Sequence, residues 1–281
     1  MVVRAGSGGS AVSAVKAAGS TDFVDEMVAA YDGAANLWFV GASVVYERLA
    51  DEVVALAPAS ATGPVLDLCA GTGAASTALL KNYDIVIALD RSPAMLAVAS
   101  NQRPPAVTAD ALAMPFRAAT FGLVVMACGL NHAPDPAGFL TEAARVTRPG
   151  GTIMASTFDN DCTLPSKAAV DDALSLFGFR PPWWHERFKA DIEPATSNPS
   201  ALLALSTRVG LAQSSVTSID VAMDLSIEEV VAWRFSMASH ASFIAGLSPD
   251  VRHLATVAAT RAVRECWVPV VIPLLVLSAT R

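Results

Sequence analysis

Three carboxylates set around a two-glycine turn are the residues of this sequence best spaced to do chemistry. Asp67 lies in a short apolar run, VLDL at 65–68, and the turn that follows uses Gly71 and Gly73 before a helical pattern begins. Such a turn lets backbone N–H groups and the start of a helix approach a ligand closely. Asp90 closes the next apolar run, seventeen positions beyond Gly73, where a carboxylate can accept hydrogen bonds from ribose hydroxyls. Asp110 follows a third run and can accept from an adenine amino group, with the Ala111 backbone beside it. Alone, Asp110 reads as a cap or turn residue, and Gly71 with Gly73 as a tight turn and nothing more. The order strand, Asp, Gly-x-Gly, helix, strand, Asp lifts both above that reading.

The charge of Asp67 chooses between two nucleotide chemistries. The nicotinamide dinucleotide pattern wants a third small residue where Ser76 stands, a mild mismatch. A carboxylate beside the turn would also repel a pyrophosphate. It suits a ligand carrying an ammonium and a sulfonium, as S-adenosylmethionine does. A charge of the wrong sign costs more than a Gly-to-Ser change in the turn, so S-adenosylmethionine is the expected cofactor.

These residues need a scaffold that brings several strand ends to one edge. The strand patterns GPVLDLCAG, YDIVIALD, PPAVTAD, FGLVVMACG and PGGTIMASTF alternate with the helical patterns AASTALLKN, SPAMLAVASNQ and PAGFLTEAARVT. Fully apolar strands separated by helices imply a parallel sheet covered on both faces, a doubly wound α/β fold. Upstream, a short helical pattern over 22–36 runs into a YDGAAN turn, and Val45, Leu49, Val53 and Leu56 recur at helical spacing. Downstream of Phe158 a Pro- and aromatic-rich stretch intervenes before the helix NPSALLALSTRVG, the strand SSVTSIDVAMDL, the helix SIEEVVAWRFSMASH and a last helix, SPDVRHLATVAATRAVREC. The final run, WVPVVIPLLVL, reads as a strand whose Pro269 and Pro273 should interrupt or bulge its pairing. The expected division is a flexible tail (1–21), a helical cap (22–58), a cofactor-binding core (59–158), a substrate lid (159–200) and the rest of the core (201–281) with a helical insertion at about 226–248.

Composition narrows the class. Of 281 residues 53% are hydrophobic, yet the longest apolar stretch, Cys266 to Leu277, holds two prolines and falls short of the ~20 residues a membrane crossing needs. Nineteen Lys and Arg against 26 Asp and Glu leave a formal charge of −7 with no basic run, which argues against a nucleic-acid partner. Four cysteines without paired spacing read as reduced thiols of a cytoplasmic protein. The Gly/Ser/Ala-rich beginning reads as a tail rather than a secretory signal.

Five blocks in order, DLCAGTG (67–73), ALDRSPAML (88–96), ADALAMPF (109–116), FGLVVMACGLNHAPDP (121–136) and RVTRPGGTI (145–153), carry a resemblance. The chain resembles class I S-adenosylmethionine-dependent methyltransferases, in the branch of the ubiquinone and menaquinone C-methyltransferases and of many bacterial small-molecule methyltransferases. The resemblance implies a Rossmann-like seven-stranded sheet of order 3-2-1-4-5-7-6 with the last strand antiparallel. It implies that Asp67, Ala70, Gly71, Thr72 and Gly73 hold the methionine half, that Asp90 takes the ribose, and that Arg91 and Met95 flank the adenine. Asp110 and Ala111 would hold the adenine edge, Cys128 would border the cofactor, and Tyr31 resembles a tyrosine that closes over it. Gly122 departs from the family, which usually has Asp there.

The acceptor side is less determined. Methyl transfer is an in-line displacement, so positioning supplies much of the catalysis. A base is needed for a phenol, an alcohol or an acidic carbon, but not for an unprotonated amine. His132, just past the fourth strand, is expected as base or cofactor contact, and His240 as a second candidate base. Trp233, Met237 and His240 share a helical face, which reads as an acceptor pocket or as ordinary core. His185 falls in the lid, and His253 reads as solvated. Trp183 and Trp184 either line a pocket for an apolar acceptor or pack the lid onto the domain. No metal is expected. The expected activity is O- or C-methylation of a small, largely apolar metabolite in bacterial secondary metabolism. N-methylation, or a S-adenosylmethionine-binding protein catalysing a reaction such as cyclisation, stands as the alternative. The expected partner is the small-molecule acceptor, with no membrane; a homodimer is left open.

Overall fold

The computed structural model describes residues 11–281 except 60, 99–102 and 161, with side chains described from Phe23 onward. The first ten residues of the expected tail lie outside the described residues, and the backbone is helical from Ala11. Seven strands form one sheet in the order β3-β2-β1-β4-β5-β7-β6. They are β1 (Val65–Leu68), β2 (Val86–Asp90), β3 (Ala106–Thr108), β4 (Phe121–Met126), β5 (Thr147–Phe158), β6 (Ala212–Met223) and β7 (Val270–Thr280). All pair in parallel except β7, which is antiparallel to both β5 and β6. This is the expected doubly wound, Rossmann-like order.

Every residue of β1 and β4 is buried. Leu123 and Val125 join one apolar cluster and Val124 and Met126 the other, the period-two alternation of a strand covered on both faces. Helices α3 (Ala74–Leu79), α4 (Pro93–Ala97) and α5 (Pro136–Val146) lie between the strands. The 159–200 segment holds α6 (Pro165–Ser175), α7 (Trp183–Asp191) and α8 (Glu193–Thr196), followed by α9 (Pro199–Arg208). After β6 come α10 (Ile227–Ser236), α11 (Ala238–Gly246) and α12 (Pro249–Glu265).

Three local readings of the sequence are corrected. The YDGAAN segment is not a turn: α1 (Ala11–Gly41) runs straight through it, and α2 (Ser43–Ala55) follows. A mid-helix Gly33 costs about 1 kcal/mol relative to alanine, but continuing the helix buries Ala34, Ala35 and Trp38, which outweighs that cost. The helix expected over 226–240 is two, broken at Met237, whose ψ of 142° is extended. Pro273 neither bulges nor interrupts β7, since Asp220 pairs it in continuous register with β6. Its carbonyl accepts from the Asp159 N–H on the opposite side, so its missing N–H also faces away from β6.

Among the described residues no single helix is long and apolar enough to cross a membrane. The one pair that passes such a test together, residues 23–41 with α2, is bent by 84° and turns Trp38, Val45 and Leu49 into the core.

Candidate functional site

The sheet order puts the ends of β1, β2 and β4 side by side, and the loops leaving them crowd one another. Cys69, after β1, and Cys128, after β4, both have positive φ, 63° and 55°. That region costs a residue with a side chain about 1–3 kcal/mol and concentrates at functional sites. The crowding allows no side chain at position 129, where a Cβ would stand 2.7 Å from that of Cys69. Gly73, at φ 97°, caps α3, and Gly71 donates its N–H to Asp90 Oδ2 at 2.8 Å. The expected departure at Gly122 has a local cause: a Cβ there would lie 2.0 Å from the Thr62 carbonyl oxygen.

Between these loops and α1 opens a cleft of about 1170 Å³, part of it continuous with solvent. It is lined by every cofactor residue expected from sequence except Gly73, which lies one step behind the wall: Tyr31, Asp67, Ala70, Gly71, Thr72, Asp90, Arg91, Met95, Asp110, Ala111 and Cys128. His132 lines it too. The side facing the sheet comes from residues that sequence reasoning missed, Val24, Met27, Val28, Trp38 and Tyr46. Along α1, positions 24, 27, 28, 31 and 38 form one helical stripe, and ending the helix at YDGAAN cuts Trp38 from it.

Asp67 is 1% exposed; its Oδ2 accepts from the Ser76 hydroxyl at 2.6 Å, and its Oδ1 has no partner among the described residues. Burial pushes its carboxyl up to about 7. Asp90 accepts a second N–H from Ser92 at 2.8 Å, and burial raises its carboxyl as well, against the pull of these backbone bonds. Each of its oxygens keeps a lone pair for a further donor. Asp110 accepts from the Leu112 N–H and from Arg91, which also reaches Asp25 on α1 at 3.5 Å. Arg91 thus ties the rim of the cleft together, though ion pairs this exposed contribute little. Arg103, another residue not foreseen, donates from Nη1 to the Gly71 and Met95 carbonyls, while its Nε and Nη2 are buried without partners among the described residues.

On the far side, the Tyr31 hydroxyl lies 3.4 Å from both ring nitrogens of His132, and His132 stacks on Phe188 with centroids 4.9 Å apart. Burial pushes His132 down to about 4 and raises the Tyr31 hydroxyl far above its ordinary value. At neutral pH the pair is therefore a neutral imidazole and a protonated phenol.

The other candidate residues are not brought to this cleft. His240 is 1% exposed, bonded through Nε2 to Asp171 at 2.9 Å and stacked on Phe179 at 4.3 Å. Trp233 is fully buried and Met237 packs against the same cluster. Trp184 packs with Phe23, Met27 and Phe188, and Trp183 sits edge-on to Phe23. The tryptophans therefore anchor α7 on α1, the packing alternative of the two. His240 is held by its hydrogen bond to Asp171, burial lowers its pKa, and it does not line the cleft.

A cofactor with a cationic amino-acid end fits what is present. The free, buried Asp67 Oδ1 in the cleft wall is an acceptor without a donor, a costly arrangement that a ligand ammonium would relieve.

Residues 66–155 match the family model described as a methyltransferase domain. The chain is similar to a demethylmenaquinone methyltransferase of Mycolicibacterium gilvum, 34% identical over 48% of this chain and 58% of that protein. The match thus spans under two thirds of that relative. Among solved structures it is similar to a S-adenosylmethionine-dependent methyltransferase of Thermotoga maritima (TM-score 0.50, 16% identity, 86% of this chain and 92% of the other). It is equally similar to the [4+2]-cyclase SpnF (TM-score 0.51, 15% identity, 83% and 80%). At such identities the likeness is one of fold.

Proposed function

We infer that this chain, which carries a class I S-adenosylmethionine-dependent methyltransferase domain of the quinone-methyltransferase type, methylates a small acceptor with a largely apolar body, at oxygen or carbon. The observation that carries this reading is Asp67, a buried carboxylate with one unpartnered oxygen in the cleft wall. S-adenosylmethionine supplies a methyl group on a sulfonium. Asp67 and the 69–73 turn would hold its amino-acid end, Asp90 its ribose, and Asp110 with Met95 its adenine.

The chain's own residues do the rest by positioning and exclusion. Tyr31 and Phe188 flank His132 and keep water from it, so the imidazole is neutral and can accept a proton from an acceptor hydroxyl or acidic carbon. The apolar wall of Met27, Val28 and Trp38 favours an acceptor of matching surface. The similarity to demethylmenaquinone methyltransferases supports a flat, apolar, oxygen-bearing acceptor.

The test is turnover. Incubated with S-adenosylmethionine and a panel of hydroquinones, phenols, enols and amines, the protein should release S-adenosylhomocysteine with an oxygen-bearing member. Tight binding of S-adenosylmethionine with no S-adenosylhomocysteine from any member would overturn the reading in favour of a non-methylating reaction. Release with amines alone would overturn the choice of oxygen or carbon.

A further inference from the structure

Two neighbouring residues of α1 reach different loops around the cleft. Consecutive side chains of a helix point about 100° apart. Tyr31 meets His132, in the loop after β4, with ring centroids 5.8 Å apart, while Asp32 meets the loop after β2. There Asp32 Oδ1 accepts from the Ser92 hydroxyl and from the Ala94 N–H, the latter at 3.2 Å. Asp32 is half-buried and does not itself line the cleft.

These two bonds complete the first turn of α4. Pro93 has no N–H to satisfy, and the Met95 N–H donates to the Ser92 hydroxyl oxygen at 3.1 Å. The Ala94 N–H has Asp32. The helix is thus capped partly by its own Ser92 and partly by a carboxylate 60 positions earlier in the chain. Ser92 is 3% exposed, and its own N–H donates to Asp90 Oδ1 at 2.8 Å. Gly71 holds the other oxygen of Asp90. The path from Asp32 through Ser92 to Asp90 therefore links α1 to the carboxylate assigned to the ribose. A second tie between α1 and this loop, Asp25 with Arg91, is 3.5 Å long and exposed on both sides, and such pairs contribute little.

We propose that Asp32 is a positioning residue for the cofactor: it fastens α1 to Ser92, which fixes Asp90 toward the ribose, so that holding the cofactor and seating Tyr31 on His132 are coupled. Without it the Ser92 hydroxyl and the Ala94 N–H lose an acceptor, and the backbone that carries Asp90 gains freedom. Both bonds need an acceptor oxygen at position 32 rather than a charge, so asparagine can replace aspartate there and alanine cannot. This role rests on the reading that the cleft binds S-adenosylmethionine.

Calorimetry with S-adenosylhomocysteine and amide exchange over residues 23–41 test the role without turnover. Asp32→Ala should weaken binding about tenfold or more and abolish the slowing of exchange that the ligand brings to the wild-type chain. Asp32→Asn should bind within about threefold of wild type and keep the slowing. A residue that only stabilised the fold would, when lost, speed exchange in the free and bound forms alike and leave the slowing intact. Ser92→Ala loses the hydroxyl but keeps the backbone bond to Asp90; it should weaken binding by about threefold or more, and it decides the matter with Asp32→Asn if Asp32→Ala does not fold. Unchanged binding by Asp32→Ala or by Ser92→Ala overturns the role. So does slowing that persists in Asp32→Ala or is missing from the wild-type complex, and so does a loss in Asp32→Asn as large as in Asp32→Ala. No binding by the wild-type chain overturns the cofactor reading, and this role with it.

Discussion

At the scale of single residues, Asp67 carries the most consequence, because its environment sets both its charge and its cost. Burial pushes its carboxyl up to about 7, and a bound ammonium would draw it down again. Protons are then released on binding below that value. Affinity for S-adenosylmethionine should fall as the pH drops from about 7 toward 5, by up to about tenfold per unit, and fall again above about 8 as the ligand's own α-ammonium deprotonates. Calorimetry across that range checks it; a flat profile throughout would contradict the assignment. Asp67→Asn should weaken binding about 10- to 100-fold and remove the fall in affinity toward low pH. It should leave thermal stability unchanged or raised, since it deletes a desolvated carboxylate. His132 is expected to act on the rate. His132→Ala should lower kcat about 10²- to 10⁴-fold with an oxygen or carbon acceptor, leaving S-adenosylmethionine affinity within severalfold; an unchanged kcat would exclude it as the base. Asp67 was legible from its place beside the glycine turn. The fate of His240 was not, because Asp171, its partner, lies 69 positions away in sequence.

At the scale of elements, close approach decides where sequence pattern is silent. The β4 start passes so near Thr62 that a Cβ at Gly122 would stand 2.0 Å from a backbone oxygen, and backbone yields little. Gly122→Ala should cost about 1–3 kcal/mol, read as a lower urea midpoint, and Gly122→Asp, the residue usual in the methyltransferases this chain resembles, at least as much. Gly246→Ala, at the end of α11 with nothing within 4 Å of the added atom, is the control and should leave the midpoint unchanged or raise it. A Gly122→Ala protein as stable as wild type would mean that the β4 and 62–64 backbones part easily. The strand patterns were read correctly because burial on both faces leaves no polar residues to blur them. The extent of α1 was misread because Gly33 is a local signal, whereas the burial of Trp38 against other elements is not local. The break at Met237 escaped for the same reason: α1 crosses α10 so tightly at Gly41 that a Cβ would meet the Ala232 carbonyl at 2.6 Å.

At the scale of the whole molecule, the cleft lies between the sheet edge and α1, so ligand binding and the docking of α1 are coupled. At about 100 times its dissociation constant, S-adenosylhomocysteine should stabilise the fold by about 2.7 kcal/mol, raising Tm by roughly 5 °C or more. Amide exchange over residues 23–41 should slow in its presence, and protection confined to the 69–73 turn would show that α1 takes no part. What the amino-acid sequence determined by itself was the doubly wound sheet, which follows from short apolar runs alternating with helical patterns along the chain; its strand order was implied only by the resemblance of five ordered blocks. What only the tertiary structure decided was the other half of the site: the α1 wall, the pairing of Tyr31 with His132, and the burial of His240 against Asp171 away from the cleft. Each depends on distances between residues far apart in sequence, and periodicity carries no information about those.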